Sequence, residues 1–440
     1  MDTVQKEVNN QGLVPQVDPP GVAISIKELN IPPAVIENLI LKHLAAYPKS
    51  DVLHLTHLLG INSHIVEDLL SILRKKSQVE VFQSELSSHS LANAHVRYAL
   101  SEQGRVFADS AFKKDPYLGP APVSLEDYRD LVEAQDLRIN TITKTDLTTA
   151  FHDVYGANRL IGTLGPAINS GRALLLYGDA GTGKSFIATR LLNALNTSVY
   201  IPYAVYANGN IIKVFTKHHH YAINEEESLT CYFKQQYDKR WILCKRPNVQ
   251  VGGELTMDML EVNHTEHNRV WMAPLQMMAN NGILIIDDLG RQPMPISTLL
   301  NRWIVPMEYG FDYLSLPNGQ QTTIPFILTL AFSSNLSPQD IGDPAFLRRL
   351  GYKVQFSALD KSDYQDLWKW VANSKELSLS EGMYTKLYEL HNTSQVEYLP
   401  CLPKDIAGIC RDIVLFEELE PCINSSILEQ AWALYFTDDA

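Results

Sequence analysis

The residues able to do chemistry lie mostly in four short runs between Gly178 and Arg349. In the first, ALLLYGDAGTGKSF, an apolar strand (Ala173 to Tyr177) enters Gly178, Asp179, Ala180, Gly181, Thr182, Gly183, Lys184 and Ser185, followed by Phe186 and an apolar helical pattern. Glycines at this spacing let successive backbone N–H groups turn inward onto phosphate oxygens. The helix that follows adds its positive end. Lys184 can reach the β- and γ-phosphates, and the Ser185 hydroxyl can ligate Mg²⁺.

About 100 residues later, GILIIDDLGRQP carries four apolar residues into Asp287 and Asp288. A buried strand ending in carboxylates delivers them to the sheet edge where phosphates sit. Asp287 is placed to hold Mg²⁺ through water, and Asp288 to orient and polarise an attacking water. A further core strand, FILTLAFSS, ends at Asn335, whose amide can bond the attacking water or the γ-phosphate. In DPAFLRRLGYKV, Arg348 and Arg349 end a short helix before a strand. The planar fork of arginine suits the charge that develops on a transferring phosphoryl group.

Phosphate loop, paired aspartates, polar strand end, arginine pair and a helical C-terminal region, in that order, resemble the AAA+ ATPase superfamily over about residues 141 to 440. The resemblance implies ATP and Mg²⁺ as cofactors and a homo-oligomeric ring, usually a hexamer. It makes Asn335 a sensor, and Arg349, or failing it Arg348, a finger reaching the neighbouring subunit's nucleotide. Between Met307-Glu308 and Phe326, a strand, an Asn318-Gly319 turn and a returning strand form a hairpin. It is similar to the pre-sensor hairpin of MoxR-type ATPases and bacterial enhancer-binding activators. DDLG resembles helicase-loader and transposition-helper ATPases, with Asp288 where glutamate is usual. LPKDIAGICRD resembles the MoxR-type second-sensor helix, with Lys404 in place of arginine. Lys404 or Arg411 is then the γ-phosphate contact.

These groups need elements to hold them. Alternating strand and helix patterns from about 141 to 360 predict an α/β phosphate-loop domain built on a parallel sheet. ALLLY, VYIPY, GILIID and FILTLAFSS are its candidate strands. Residues 361–440 predict an all-helical lid. Residues 22–116 read as helix, turn, helix, two strands and a helix, a winged-helix-like α+β pattern with Asp51, Ser63 and Ser101 as caps. Residues 1–21 read as a flexible tail and 117–140 as a Pro-rich linker. A second hairpin is predicted around Asn208-Gly209, followed by His218, His219 and His220 on an exposed flank; three adjacent histidines cannot all face one metal.

The net charge of -13 argues against coating nucleic acid. Five cysteines without C-x-x-C spacing read as reduced thiols. No run approaches the about 18 apolar residues of a membrane span, and a cytoplasmic location is expected. Three functions follow from this reading. One is a ring ATPase that remodels a protein client. Another is a DNA-associated motor or transcription regulator using the winged helix. The third is a slow ATP-dependent switch.

Overall fold

The computed structural model describes residues 14–83, 96–139, 141–152, 154–156, 158–194, 197–223, 237–264, 269–342 and 344–436. Its centre is a five-stranded, all-parallel sheet of β1 (Leu174–Gly178), β2 (Asn248–Val251), β3 (Ile283–Ile286), β4 (Thr329–Ser334) and β5 (Tyr352–Phe356), in spatial order β2-β3-β4-β1-β5. Both faces are covered, so alternate side chains enter two different cores. Leu174, Leu176, Ile283 and Ile285 pack with Ile187 and Ala188 of α1 (Lys184–Arg190). Leu175, Leu284 and Ile286 pack with Leu299, Leu300 and Trp303 of α2 (Ile296–Tyr309). That is why these strands read as continuous apolar runs.

One expected strand belongs elsewhere. All of VYIPY but Tyr203 lies in Thr197–Pro202, which pairs antiparallel with Trp241–Lys245 and parallel with Val14–Pro15 in a separate sheet. The vacant position in the parallel sheet is taken by β2, whose side chains alternate between exposed and buried.

The N-terminal region has helices Pro33–Ala46, Val52–Leu59 and Ser63–Lys75, an antiparallel pair Val79–Gln83 and Val96–Leu100, and helix Glu102–Lys114. That antiparallel pair is the hairpin expected as a wing, and residues 84–95, the loop between its strands, lie outside the described residues. Asp51 and Ser101 cap their helices through His54 N–H and Gly104 N–H. The third cap is Asn62, whose Oδ1 accepts from His64 N–H at 3.0 Å, with the predicted Ser63 already inside the helix. This region shares a core with residues far along the chain: Leu55 and Leu59 belong to the same cluster as Ala204, Ile211 and Val270.

Two stretches expected to be loose carry structure. Val123–Ser124, in the supposed linker, is buried and pairs parallel with Val205-Tyr206. Helix Leu125–Ala134 follows, capped by Ser124. The tail contributes Val14–Pro15 to the sheet noted above. Long-range strand pairing fixed these segments where local composition suggested coil.

The C-terminal region holds helices Lys361–Ser374 and Met383–Ser394, α3 (Cys401–Phe416) and Ser425–Tyr435. It is not wholly helical, since Ser378–Leu379 pairs with Cys422–Ile423. Among the described residues, no helix is long and apolar enough to cross a membrane. Cys244, Cys401, Cys410 and Cys422 are free thiols, and Cys231 lies outside the described residues.

Four histidines, His43, His219, His220 and His391, are held below the usual imidazole value, each chiefly by burial, with His219 pushed down to about 4. Unfolding exposes them to water, where they protonate more readily. Their contribution is therefore complete above the unfolded value of roughly 6.5 and is lost as pH falls below it. The urea midpoint is expected to be lower at about pH 5.5 than at about pH 7.5, and His391→Gln to narrow that gap. A midpoint unchanged between the two would contradict this.

Candidate active site at the phosphate loop

The parallel strands deliver the polar residues to one edge. Gly178 ends β1, Asp287 follows β3 and Asn335 follows β4, all at the carboxyl ends. Gly178, Gly181 and Gly183 have φ of 136°, 79° and 93°, a region that side chains disfavour. A Cβ on Gly178 would also overlap the Phe356 carbonyl. The loop is braced by Thr182, whose hydroxyl donates to the Asp179 carbonyl at 2.7 Å, while Asp179 and Ala180 are exposed.

Lys184 is 6% exposed and donates to the carbonyls of Gly178 and Asp179 at 2.8 and 2.7 Å and to Asn335 Oδ1 at 2.9 Å. Burial lowers its pKa, against the opposing pull of Asp179, Asp287 and Asp288. Ser185 Oγ donates to Asp287 Oδ1 at 2.8 Å. Lys184, Ser185, Asp287 and Asn335, scattered over about 150 residues of sequence, thus meet in one place.

The turn after β3 places Asp288 at φ 49°, in the left-handed region that Asp tolerates better than most residues. Its N–H donates to Asp287 Oδ1 at 3.0 Å. Two amides that sequence reading missed hold this corner. Gln292 donates through Nε2 to the carbonyls of Gly252, Asp287 and Asp288 and accepts from Gly290 N–H. Gln250, near the end of β2, donates to Asp287 Oδ2 at 3.0 Å. Neither carries a local signal: an amide in a short strand or turn reads as surface.

The C-terminal helical region sits directly on the loop. Cys401 N–H, at the start of α3, donates to the Gly181 carbonyl at 3.1 Å, and a Cβ on Gly181 would stand 2.6 Å from Cys401 Sγ. Phe186 is 40% exposed, with the Arg190 guanidinium 3.8 Å and Lys404 Nζ 5.9 Å from its ring centroid. Lys404 is therefore beside the phosphate-loop helix. Arg411 is seven residues further along α3, about 10 Å by helical rise, and exposed.

Arg348 and Arg349 are not brought to this edge. They precede β5, whose last residue Phe356 pairs with Gly178. The strand between spans roughly 13 Å, which puts the pair toward the opposite end of the sheet. There Arg349 binds Glu308 at 2.8 Å.

The two Asn-Gly hairpins meet at their tips, Asn318 Nδ2 donating to the Asn208 carbonyl at 2.7 Å. The histidines beside the first are not all on an exposed flank. His220 is buried, accepting from Thr216 N–H and bonding the Met278 carbonyl. Among the described residues no group of three or more His, Cys, Asp or Glu is placed to hold a metal.

Residues 360–434 match a family model described as a domain of unknown function, DUF8689. No curated protein matches the chain. Among solved structures, the chain is similar to the RuvB Holliday junction branch migration motor of Thermotoga maritima, at 13% identity and a TM-score of 0.35, over 68% of this chain and 71% of that one. It is also similar to NtrX from Brucella abortus, at 10% identity and a TM-score of 0.37, over 86% of this chain and 63% of that one. Likenesses this distant leave the site to be read from the chain's own geometry.

Proposed function

We propose that this protein is an AAA+ ATPase that hydrolyses ATP with Mg²⁺ between the subunits of a homo-oligomeric, hexameric ring and uses the cycle to remodel a protein client. The observation that carries the reading is the 2.8 Å contact between Ser185 Oγ and Asp287 Oδ1, beside Lys184 and Asn335. A hydroxyl and a carboxylate joined at the mouth of a glycine cradle are the donor set expected for a hydrated Mg²⁺ on nucleotide phosphates. The positive φ of Gly178, Gly181 and Gly183 supports the same reading, since a loop of such glycines can turn successive N–H groups toward phosphate oxygens.

Residue by residue, the loop N–H groups and Lys184 hold the phosphates, and Ser185 and Asp287 hold the metal with its waters. Mg²⁺, when bound, neutralises phosphate charge. Asp288 accepts the proton of the attacking water, and Asn335 orients that water or the γ-phosphate while also holding Lys184. Lys404 of the lid reaches the γ-phosphate side of the site. Arg349 serves the nucleotide of the next subunit, because its place toward the far end of the sheet keeps it from its own.

A protein client is favoured over a nucleic acid by the N-terminal region, read as a winged-helix-like docking module. Its second turn-flanking helix exposes Glu67 and Asp68, which would face phosphate unfavourably. Lys76 just beyond that helix is engaged by Glu37 at 2.6 Å.

The test is hydrolysis titrated with Mg²⁺. Ser185→Ala and Asp287→Asn are each expected to lose Mg²⁺-dependent turnover. Gln250→Ala is expected to raise the Mg²⁺ requirement by about tenfold, as loss of a partner to a metal-holding carboxylate does. Turnover indifferent to Mg²⁺ and to both substitutions would refute the reading. Lys404→Ala is expected to raise KM for ATP about tenfold, the worth of one charged hydrogen bond, and Arg411→Ala to leave it unchanged; the reverse pattern would move the contact to Arg411.

A further inference from the structure

Arg348 and Arg349 are neighbours in sequence but not in environment. Arg348 is exposed. The Arg349 side chain is 19% exposed, and its Nε and Nη2 both donate to Glu308 Oε2, at 3.1 and 2.8 Å. Glu308 stands one residue from the end of α2, a helix anchored by the fully buried Trp303 and closed by Gly310 at φ 73°. Phe326 N–H, donating to the Gly310 carbonyl at 2.8 Å, ties that helix end to the returning strand of the Asn318-Gly319 hairpin. Arg349 itself follows the four-residue helix Pro344–Leu347, its N–H bonded to the Phe346 carbonyl at 2.9 Å. Both side chains line a cleft of about 960 Å³ that also includes Arg172, Tyr309 and Phe326.

An arginine that acts on a ligand brought by another molecule must be in place before that ligand arrives. Its long side chain otherwise samples many rotamers, and a misplacement of an ångström is enough to slow a reaction severely. Of the two arginines, only Arg349 has its Nε–Nη2 edge fixed by a carboxylate on a rigid helix. Glu308 is itself 45% exposed, so water screens the pair and its contribution to stability is small. Its effect is geometric. We infer that Glu308 is the positioning residue for Arg349, presenting its guanidinium to the nucleotide of the neighbouring subunit. This rests on the proposed role of Arg349 between subunits.

The experiment compares full-length Arg349→Ala, Glu308→Gln, Glu308→Asp and the Arg349→Ala/Glu308→Gln double variant in steady-state ATP hydrolysis, nucleotide binding and thermal unfolding. Glu308→Gln is expected to lower kcat roughly 10- to 100-fold, with KM, nucleotide binding and unfolding temperature unchanged. Glu308→Asp should recover part of that loss, and the double variant should be no slower than Arg349→Ala alone. Wild-type turnover in Glu308→Gln alongside a slow Arg349→Ala would overturn the positioning role and leave the finger standing. Further slowing in the double variant would overturn it too, by showing that Glu308 acts elsewhere. Wild-type turnover in Arg349→Ala would remove the finger itself, and the positioning role with it.

Discussion

Replacing Lys184 by alanine is expected to lower ATP hydrolysis by roughly 10²- to 10³-fold, the usual loss when one preorganised donor is removed from a developing negative charge. Nucleotide affinity should fall with it, since in the proposed function the same ammonium also holds the ground-state phosphates. The structure gives this substitution a second effect. Lys184 ties Asn335 to the carbonyls of Gly178 and Asp179, so its loss releases the Asn335 side chain from the loop. Asn335→Ala should accordingly lower kcat more than it weakens binding, because the loop and Lys184 remain. Parallel titration of a fluorescent nucleotide and steady-state turnover separates the two. Full turnover in Lys184→Ala would remove the phosphate loop from the mechanism.

Arg349→Ala is expected to cost about 10³-fold or more in kcat, the range found when a transition-state arginine is withdrawn. Nucleotide binding should be retained, because the residue lies toward the far end of the sheet from its own loop. The pairing of lost turnover with intact binding is the signature to look for. Arg348→Ala is the control. It is exposed and lacks the Glu308 contact, so its effect should be much the smaller. If Arg348→Ala is the damaging substitution and Arg349→Ala is mild, the two assignments exchange, and Glu308 loses its proposed purpose.

What the sequence made legible follows from how local each feature is. The glycine loop from Gly178 to Ser185 stands out because the chemistry proposed for it dictates residue type and spacing within eight positions, and Asp287-Asp288 because a fully buried strand must end where the sheet meets solvent. The Asn208-Gly209 turn is equally local: Ala207 pairs with Asn210, and both turn residues have positive φ. Other features depend on partners far away. Asn248–Val251 alternates exposed and buried, so it lacks the apolar run that marks its neighbours, and only pairing with Ile283–Ile286 places it in the sheet. VYIPY has that run, yet its partners are Trp241–Lys245 and Val14–Pro15. Gln250 and Gln292 acquire meaning only once β2 and the turn after β3 lie side by side. Val123–Ser124 sits among prolines and still pairs with Ala204–Ala207, because burial of that edge decides against local composition.

The most direct test of a composite site is to mix two inactive variants. Lys184→Ala subunits keep Arg349, and Arg349→Ala subunits keep an intact phosphate loop. If catalysis lies between subunits, an equal mixture of the two regains turnover, rising to about one quarter of the wild-type rate for random neighbours around a closed ring. If the mixture remains as inactive as its components, each chain works alone and catalysis does not lie between subunits.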